Sequence, residues 1–219
     1  MNAIIIEDTV KLPGRIRDLA SFRSWARSAD FPERGRFSFL RGDLWIDMSP
    51  EDLYRHNHVK TRFSTLLDGM VTARRLGRYF SDGALLSNVA ADLSTVPDGL
   101  FVTWRSLKAG RLRHVRGTEG FIEFEGTPDL VLEVVSKHSV RKDTVVLPEL
   151  YWRAGIPEYW LVDARGERPR FEILRRALSG YRKSPSRAGW TRSGILKRSF
   201  RLLKLEDRLG NPEFTLSVR

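Results

Sequence analysis

The run Leu130-Val131-Leu132-Glu133-Val134-Val135 constrains this chain more than any other segment of its length. Every residue but one is aliphatic, three are β-branched, and Pro128-Asp129 stands before the first of them. Such a run reads as a strand covered on both faces, which places it in the middle of a sheet rather than at an edge. Glu133 is then the residue to explain, because an ionised carboxylate among aliphatic neighbours is costly to desolvate unless a cation or strong donor compensates it. A second acid, Asp98, sits in the turn Val96-Pro97-Asp98-Gly99 at the start of a further apolar stretch, so the two could meet on neighbouring strands.

The segments around this run supply the rest of the domain. Arg17 to Ala29 has helical spacing, with Leu19, Phe22, Trp25 and Ala26 on one side, and Phe31-Pro32 ends it. Arg36 to Met48 reads as a hairpin around Arg41-Gly42-Asp43. Ser49-Pro50-Glu51-Asp52 is expected to open a helix running to about Arg75, with serine as cap and proline in the first turn. Its apolar side would carry Val59, Phe63, Leu66, Leu67 and Met70. Short strands follow near residues 77–80, 84–89 and 99–104, and the charged span 105–126 reads as a surface excursion or a distorted hairpin. After the central strand comes a helix ending at Ala154-Gly155, then a buried strand Tyr159-Trp160-Leu161-Val162-Asp163 and a last hairpin from Arg170 to Tyr181. The order predicts an α/β domain with a mixed sheet flanked by helices and with additional β-hairpins. We divide it into a helical lead (1–35), a principal domain (36–182) and a basic extension (183–219) packed on the same domain.

Charge and composition narrow the class of activity. The chain has no cysteine, which removes disulfide, thiolate and cysteine-ligated metal chemistry and fits a reducing cytoplasm. No segment approaches the ~20 apolar residues of a membrane span, so no membrane partner is expected. Of the net charge of +11, nearly all lies late in the chain: residues 164–219 hold 15 Lys and Arg against 5 Asp and Glu, residues 1–163 hold 23 against 22. That asymmetry suits a polyanion partner, and equally a solvated basic face. Arg175, Arg176, Arg182 and Lys183 are the candidate nucleic-acid contacts, and Arg192, Lys197, Arg198 and Arg201 are interleaved with Trp190 and Phe200.

Two hard oxygen donors with open positions suit Mg²⁺ or Mn²⁺, and Asp98 is a better partner for Glu133 than Asp129, which lies roughly 13 Å away along the same strand. Hydrolysis of a phosphodiester would need, besides the cation, a positive group near the developing charge. A lysine two residues after the glutamate would share its face, but Val135 stands there. The nearest lysines are Lys142, which could reach back from the following turn, and Lys137. His56 is a further candidate for orienting water or phosphate, ahead of His58. Each has a plain alternative: Glu133 paired with an arginine, Asp98 shaping its turn, Lys142 in solvent ahead of a helix cap at Asp143.

Four segments together carry a family resemblance: Arg41-Gly42-Asp43-Leu44-Trp45-Ile46-Asp47-Met48-Ser49-Pro50; Pro97-Asp98-Gly99; Thr127-Pro128-Asp129-Leu130-Val131-Leu132-Glu133-Val134-Val135-Ser136; and the segment from Tyr151 to Asp163. With them the chain resembles the Uma-two family of restriction-endonuclease-like proteins, in the PD-(D/E)XK nuclease superfamily, from about Phe37 to Tyr181. The resemblance implies a restriction-endonuclease-like fold, a Mg²⁺- or Mn²⁺-dependent endonuclease acting on DNA, and a homodimer, since two strands need two sites. It gives Asp98 and Glu133 the role of metal-binding acids and makes Asp43 an auxiliary position. The family often draws its lysine from about four residues before the tyrosine matching Tyr151, where this chain has Leu147 beside Pro148. Lys142 is the substitute, with Lys137 second. The departure also leaves open a nuclease fold without catalysis that serves as a nucleic-acid-binding or assembly module, and, more remotely, an enzyme acting on another phosphate substrate.

Overall fold

The computed structural model describes residues 12–14, 16–117 and 120–219. The first eleven residues of the expected helical lead, and Arg15, lie outside the described residues. Helix α1 (Leu19–Ala26) is followed by strands β1 (Arg36–Leu40) and β2 (Asp43–Asp47), helix α2 (Val59–Ala73), and strands β3 (Gly77–Ser81), β4 (Leu85–Asn88), β5 (Leu93–Thr95) and β6 (Gly99–Thr103). Helix α3 (Trp104–Lys108), strands β7 (Leu112–Gly117), β8 (Gly120–Gly126) and β9 (Leu130–Val134), helix α4 (Leu147–Arg153) and strand β10 (Glu158–Asp163) complete the middle of the chain. Six strands close it: β11 (Arg170–Ala177), β12 (Gly180–Lys183), β13 (Ser186–Arg187), β14 (Trp190–Arg192), β15 (Ser199–Glu206) and β16 (Pro212–Val218).

These strands make three sheets, ordered β2-β1-β5-β4-β8-β7, β12-β11-β10-β9-β6-β3 and β13-β14-β15-β16. The run that opened the sequence analysis is β9, held between β10, parallel to it, and β6, antiparallel. A parallel pair needs a crossover, and α4 provides it. Side chains alternate along β9, so it feeds two cores. Val131 and Val135 pack with Leu40, Leu86 and Leu93 of the first sheet and with Leu147, Leu150 and Tyr151 of α4. Leu130, Leu132 and Val134 pack on the other side with Val59, Phe63 and Leu67 of α2 and with Phe200, Leu202, Phe214 and Leu216 of the third sheet. Trp160 and Tyr159 are fully buried, one in each core. Phe22 and Trp25 of α1 pack on Phe37 and Phe39 of β1.

One reading is corrected. Ser49 does not open a helix: its amide and hydroxyl both bond Asp47, and Asp52 caps instead, accepting from the amides of Tyr54 and Arg55 at 3.0 and 2.7 Å. Of the two readings of residues 105–126 the distorted hairpin is the one observed: β7 and β8 form a bulged hairpin whose inner strand runs parallel to β4 in the first sheet. Strand β5, Leu93–Thr95, was not foreseen, because three residues are too few to carry a period. Among the described residues no helix is long and apolar enough to cross a membrane.

Candidate functional site

Pairing sets the geometry of the two acids. In the β6/β9 ladder Gly99 faces Leu132 and Leu100 faces Val131, so the next step of the same register sets Asp98 opposite Glu133. Directly opposed residues point to the same side, here the side of Leu100, Val131 and α4. Both acids are about 1% exposed. They line a cavity of about 770 Å³ whose walls come from β1 and β2 (Arg36, Asp47), the segment before α2 (Glu51, His56), the β3–β4 turn (Asp82), and the segment after β9 (Ser136, Lys142, Asp143).

Two widened, π-helical turns contribute walls to this cavity. Leu53–His58 precedes α2 and brings His56 in; Lys142–Val146 precedes α4 and brings in Lys142 and Asp143. Such turns are rare and concentrate at functional sites, because the wider winding redirects side chains that a regular helix would send elsewhere. The second turn is braced from the core, where the Tyr159 hydroxyl donates to the Asp143 carbonyl at 2.7 Å.

Around Asp98 the charges form one network. Its Oδ2 accepts from the Val134 amide at 2.7 Å and its Oδ1 from Arg36 Nη1 at 2.9 Å. Lys60 Nζ is 3.8 Å from Oδ1 and itself bonds Glu51 (2.6 Å) and Asp82 (2.8 Å). Arg36 also reaches Asp82 at 3.2 Å. Burial pushes the Glu51 carboxyl up, but Lys60 and Arg36 outweigh it and hold it down to about 2. Burial likewise weakens the Arg36 proton while Asp98 and Asp82 more than restore it. His56 lies 3.8 Å from Asp98 through Nε2, and its Nδ1, 3.3 Å from Glu51, is not aligned for a hydrogen bond.

Glu133 has different company. Its Oε1 accepts from the Tyr151 hydroxyl at 2.6 Å, and Lys142 Nζ stands 3.8 Å from Oε2 and 2.9 Å from Asp143 Oδ1. Asp143 Oδ2 takes the Ser139 hydroxyl. Burial pushes the Glu133 carboxyl up to about 8, against the pull of Lys142, and raises Asp143 as well. Burial alone would weaken the Lys142 proton, but Glu133 and Asp143 raise its affinity instead. A lysine whose proton is held between two acids that burial pushes up keeps the net charge of this buried cluster small.

Asp98, Glu133, Lys142 and His56 are thus brought to one cavity. Asp43 and Lys137 are not. Asp43 faces Leu40 at the turn end of the β1/β2 hairpin, whereas Arg36 and Asp47 face each other at the cavity end, roughly 13 Å along the strand. Lys137 is exposed and does not line the cavity. Asp143 is buried in the cluster, not a helix cap, and the guanidinium expected as an alternative partner of Glu133 belongs to Asp98. The sequence gives no site role to Arg36 or Lys60, offers Asp143 only as a helix cap and Tyr151 only as a motif landmark; the Lys142-Asp143 adjacency is the one local hint. Arg175, Arg176, Arg182 and Lys183 do not form one surface. Arg175 pairs with Arg182 across β11/β12, so Arg176 and Lys183 fall on the opposite face. Arg176 stacks over Trp152 and bonds its carbonyl, Lys183 bonds Glu172, and Arg175 bonds the Arg192 carbonyl.

A family model described as "Putative restriction endonuclease" matches residues 19–205. The chain belongs to the Uma2 family. The match takes in every cavity residue named above and reaches into β15. Among solved structures, this Uma2 chain is similar to that of "a putative nuclease belonging to DUF820" from Anabaena variabilis ATCC 29413, at 16% identity and a TM-score of 0.59 over 82% of this chain and 90% of the other. At that identity the likeness establishes the fold, a mixed α/β nuclease-like architecture. No curated protein sequence matches the chain.

The donor set of this Uma2 protein suits a divalent cation in part. Asp98 and Glu133 present two hard oxygens on one face, and one of them retains a proton that a cation would displace. Among the described residues no group of three or more His, Cys, Asp or Glu converges to ligate an ion. Water or substrate would have to complete the sphere, as is usual for Mg²⁺.

Proposed function

We propose that this Uma2 protein is a metal-dependent endonuclease that hydrolyses phosphodiester bonds in DNA, with the cavity between the first and second sheets as its active site. The observation that carries this reading is the trio Asp98, Glu133 and Lys142: two buried acids opposed across β6/β9 and an ammonium 3.8 Å from the second. Asp98 and Glu133 would hold Mg²⁺ or Mn²⁺. The ion would polarise the scissile phosphate and make water a stronger nucleophile near neutral pH. Lys142, whose proton is held by Glu133 and Asp143, offers fixed positive charge where negative charge builds on the phosphate. Tyr151 fixes one oxygen of Glu133, leaving Oε2 free to turn toward the cavity. His56 lines the same cavity beside Asp98 and would orient water or phosphate. Arg175, Arg176, Arg182 and Lys183 lie on two faces of the β11/β12 edge, and only those not committed to protein carbonyls or Glu172 are free for DNA. A homodimer would supply one site per strand, and a chain without cysteine suits the cytoplasm.

The test is Mg²⁺-dependent nicking of supercoiled plasmid. Glu133→Ala is expected to abolish it, and Lys142→Met to lower the rate about 10²-fold or more with DNA affinity kept; full activity in Glu133→Ala refutes the assignment.

A second reading has its own observation. Arg36 already occupies Asp98 Oδ1, and Val135 and Leu147 hold the two usual lysine positions, as expected of a nuclease fold that binds nucleic acid or assembles without cutting. Calorimetric titration with Mn²⁺ separates the two: no binding at millimolar metal, alongside salt-sensitive DNA binding, favours the module.

A further inference from the structure

The outward face of the third sheet has no role in the cavity, yet it concentrates unpaired positive charge around one aromatic ring. Phe200, Leu202, Phe214 and Leu216 point into the core, so residues of the opposite parity on β15 and β16 point out. The register then lines up Arg187 with Trp190 and Arg192 with Ser199, while Arg219 exchanges both backbone hydrogen bonds with Ser199. One step beyond Thr191↔Phe200, Trp190 falls opposite Arg201. A two-residue turn with positive φ at Ala188 (50°) and Gly189 (77°) brings Arg187 and Trp190 side by side, and the Arg201 stem lies over Gly189.

Two guanidiniums share this indole: Arg201 and Arg219 lie 4.8 and 4.3 Å from the Trp190 ring centroid. Like charges drawn to one ring repel each other unless an anion bridges them. Among the described residues none of Arg187, Arg192, Arg201 and Arg219 makes a salt bridge, and the Arg201 Nε is buried with no hydrogen-bond partner. The acid of β16, Glu213, is turned to Arg62 of α2. Arg23, Arg36 and Arg170 are each matched with a carboxylate; on this sheet face four arginines gather about one ring with none.

We propose that this face is a second nucleic-acid surface, separate from the cavity, at which Arg187, Arg192, Arg201 and Arg219 grip backbone phosphates and Trp190 offers a stacking plane. Guanidinium forks match phosphate oxygens two at a time, and an aromatic ring among them adds affinity that does not depend on sequence. The face is tied to the second sheet through a buried carboxylate. Glu158 of β10, 2% exposed, accepts from the Ser193 hydroxyl at 2.7 Å and from the amides of Gly194 and Ile195, at the end of β14. The inference rests on the nuclease reading for its partner, but not on catalysis.

Binding of a labelled oligonucleotide by the full chain, followed by anisotropy in EDTA from 50 to 300 mM salt, tests it. Arg187→Ser/Arg192→Ser/Arg219→Ser removes three exposed side chains. It is expected to weaken binding more than tenfold at 0.1 M salt and to reduce the slope of log affinity on log salt by about 2 to 3 on duplex. Trp190→Leu should weaken single-strand binding about tenfold or more. Unchanged affinity and slope in the triple variant, with unfolding curves matching the parent, overturns the proposal. So does a parent that ignores oligonucleotides but binds phosphatidylglycerol vesicles, which assigns the face to an anionic lipid surface. Mg²⁺-dependent cleavage, measured separately, reports on the cavity, so loss of cutting with binding intact counts against the nuclease reading alone.

Discussion

Replacing Glu133 with glutamine removes a titrating proton while keeping an oxygen for Tyr151, and its effect on stability should depend steeply on pH. In the folded protein burial raises this carboxyl to about 8, from an ordinary value of 4.5, against Lys142 and with Asp143 and Asp98 adding to the rise. A group whose folded pKa lies above its unfolded one contributes stability that is complete below the unfolded value and is lost as pH rises through the folded value. At about 1.4 kcal/mol per unit, the parent should lose roughly 3 kcal/mol relative to the glutamine variant between pH 4.5 and 7, and roughly 4 to 5 kcal/mol by pH 9. Glu133→Gln should therefore match the parent at pH 4 and exceed it increasingly above. Urea unfolding in EDTA at pH 4, 7 and 9 measures this. Parallel curves for the two proteins, or a parent that gains on the variant as pH rises, would show that Glu133 is ionised in the folded state and refute the argument. Adding Mg²⁺ extends the test: a cation that displaces the proton should stabilise the parent more at pH 8 than at pH 5 and leave the variant unmoved.

Two other substitutions probe the surrounding network. Arg36→Met leaves Asp98 buried without its guanidinium, and in EDTA it should cost about 3 to 5 kcal/mol in urea unfolding, much of it regained with millimolar Mg²⁺ if Asp98 takes a cation; a cost that metal does not touch favours the module. Glu158→Leu strands the Ser193 hydroxyl and two amides at the join between the second and third sheets, and should cost about 3 kcal/mol or more; a thermal midpoint within a degree or two of the parent would show that this carboxylate does not hold the sheets together.

Much of the fold was legible because its signals are local. An unbroken aliphatic run marked β9 as central, alternating residues around Arg41-Gly42 gave the first hairpin, and helical spacing put Phe22 and Trp25 on one side of α1. Even the pairing of the two acids was half readable, since each stood at the edge or middle of an apolar strand that had to be buried. The neighbours that decide what those acids do were not readable. Arg36 reaches Asp98 across 62 residues and Tyr151 reaches Glu133 across 18, and no spacing announces either contact. Lys142 and Asp143 share the cavity because a π-helical turn redirects them, a choice made by packing against Tyr159 rather than by the propensity of Lys142–Val146. Charge gives the same lesson at the C-terminus: the excess of Lys and Arg was plain in the sequence, but which arginines share a face follows from strand register, and a shift of one residue would send every side chain to the other side.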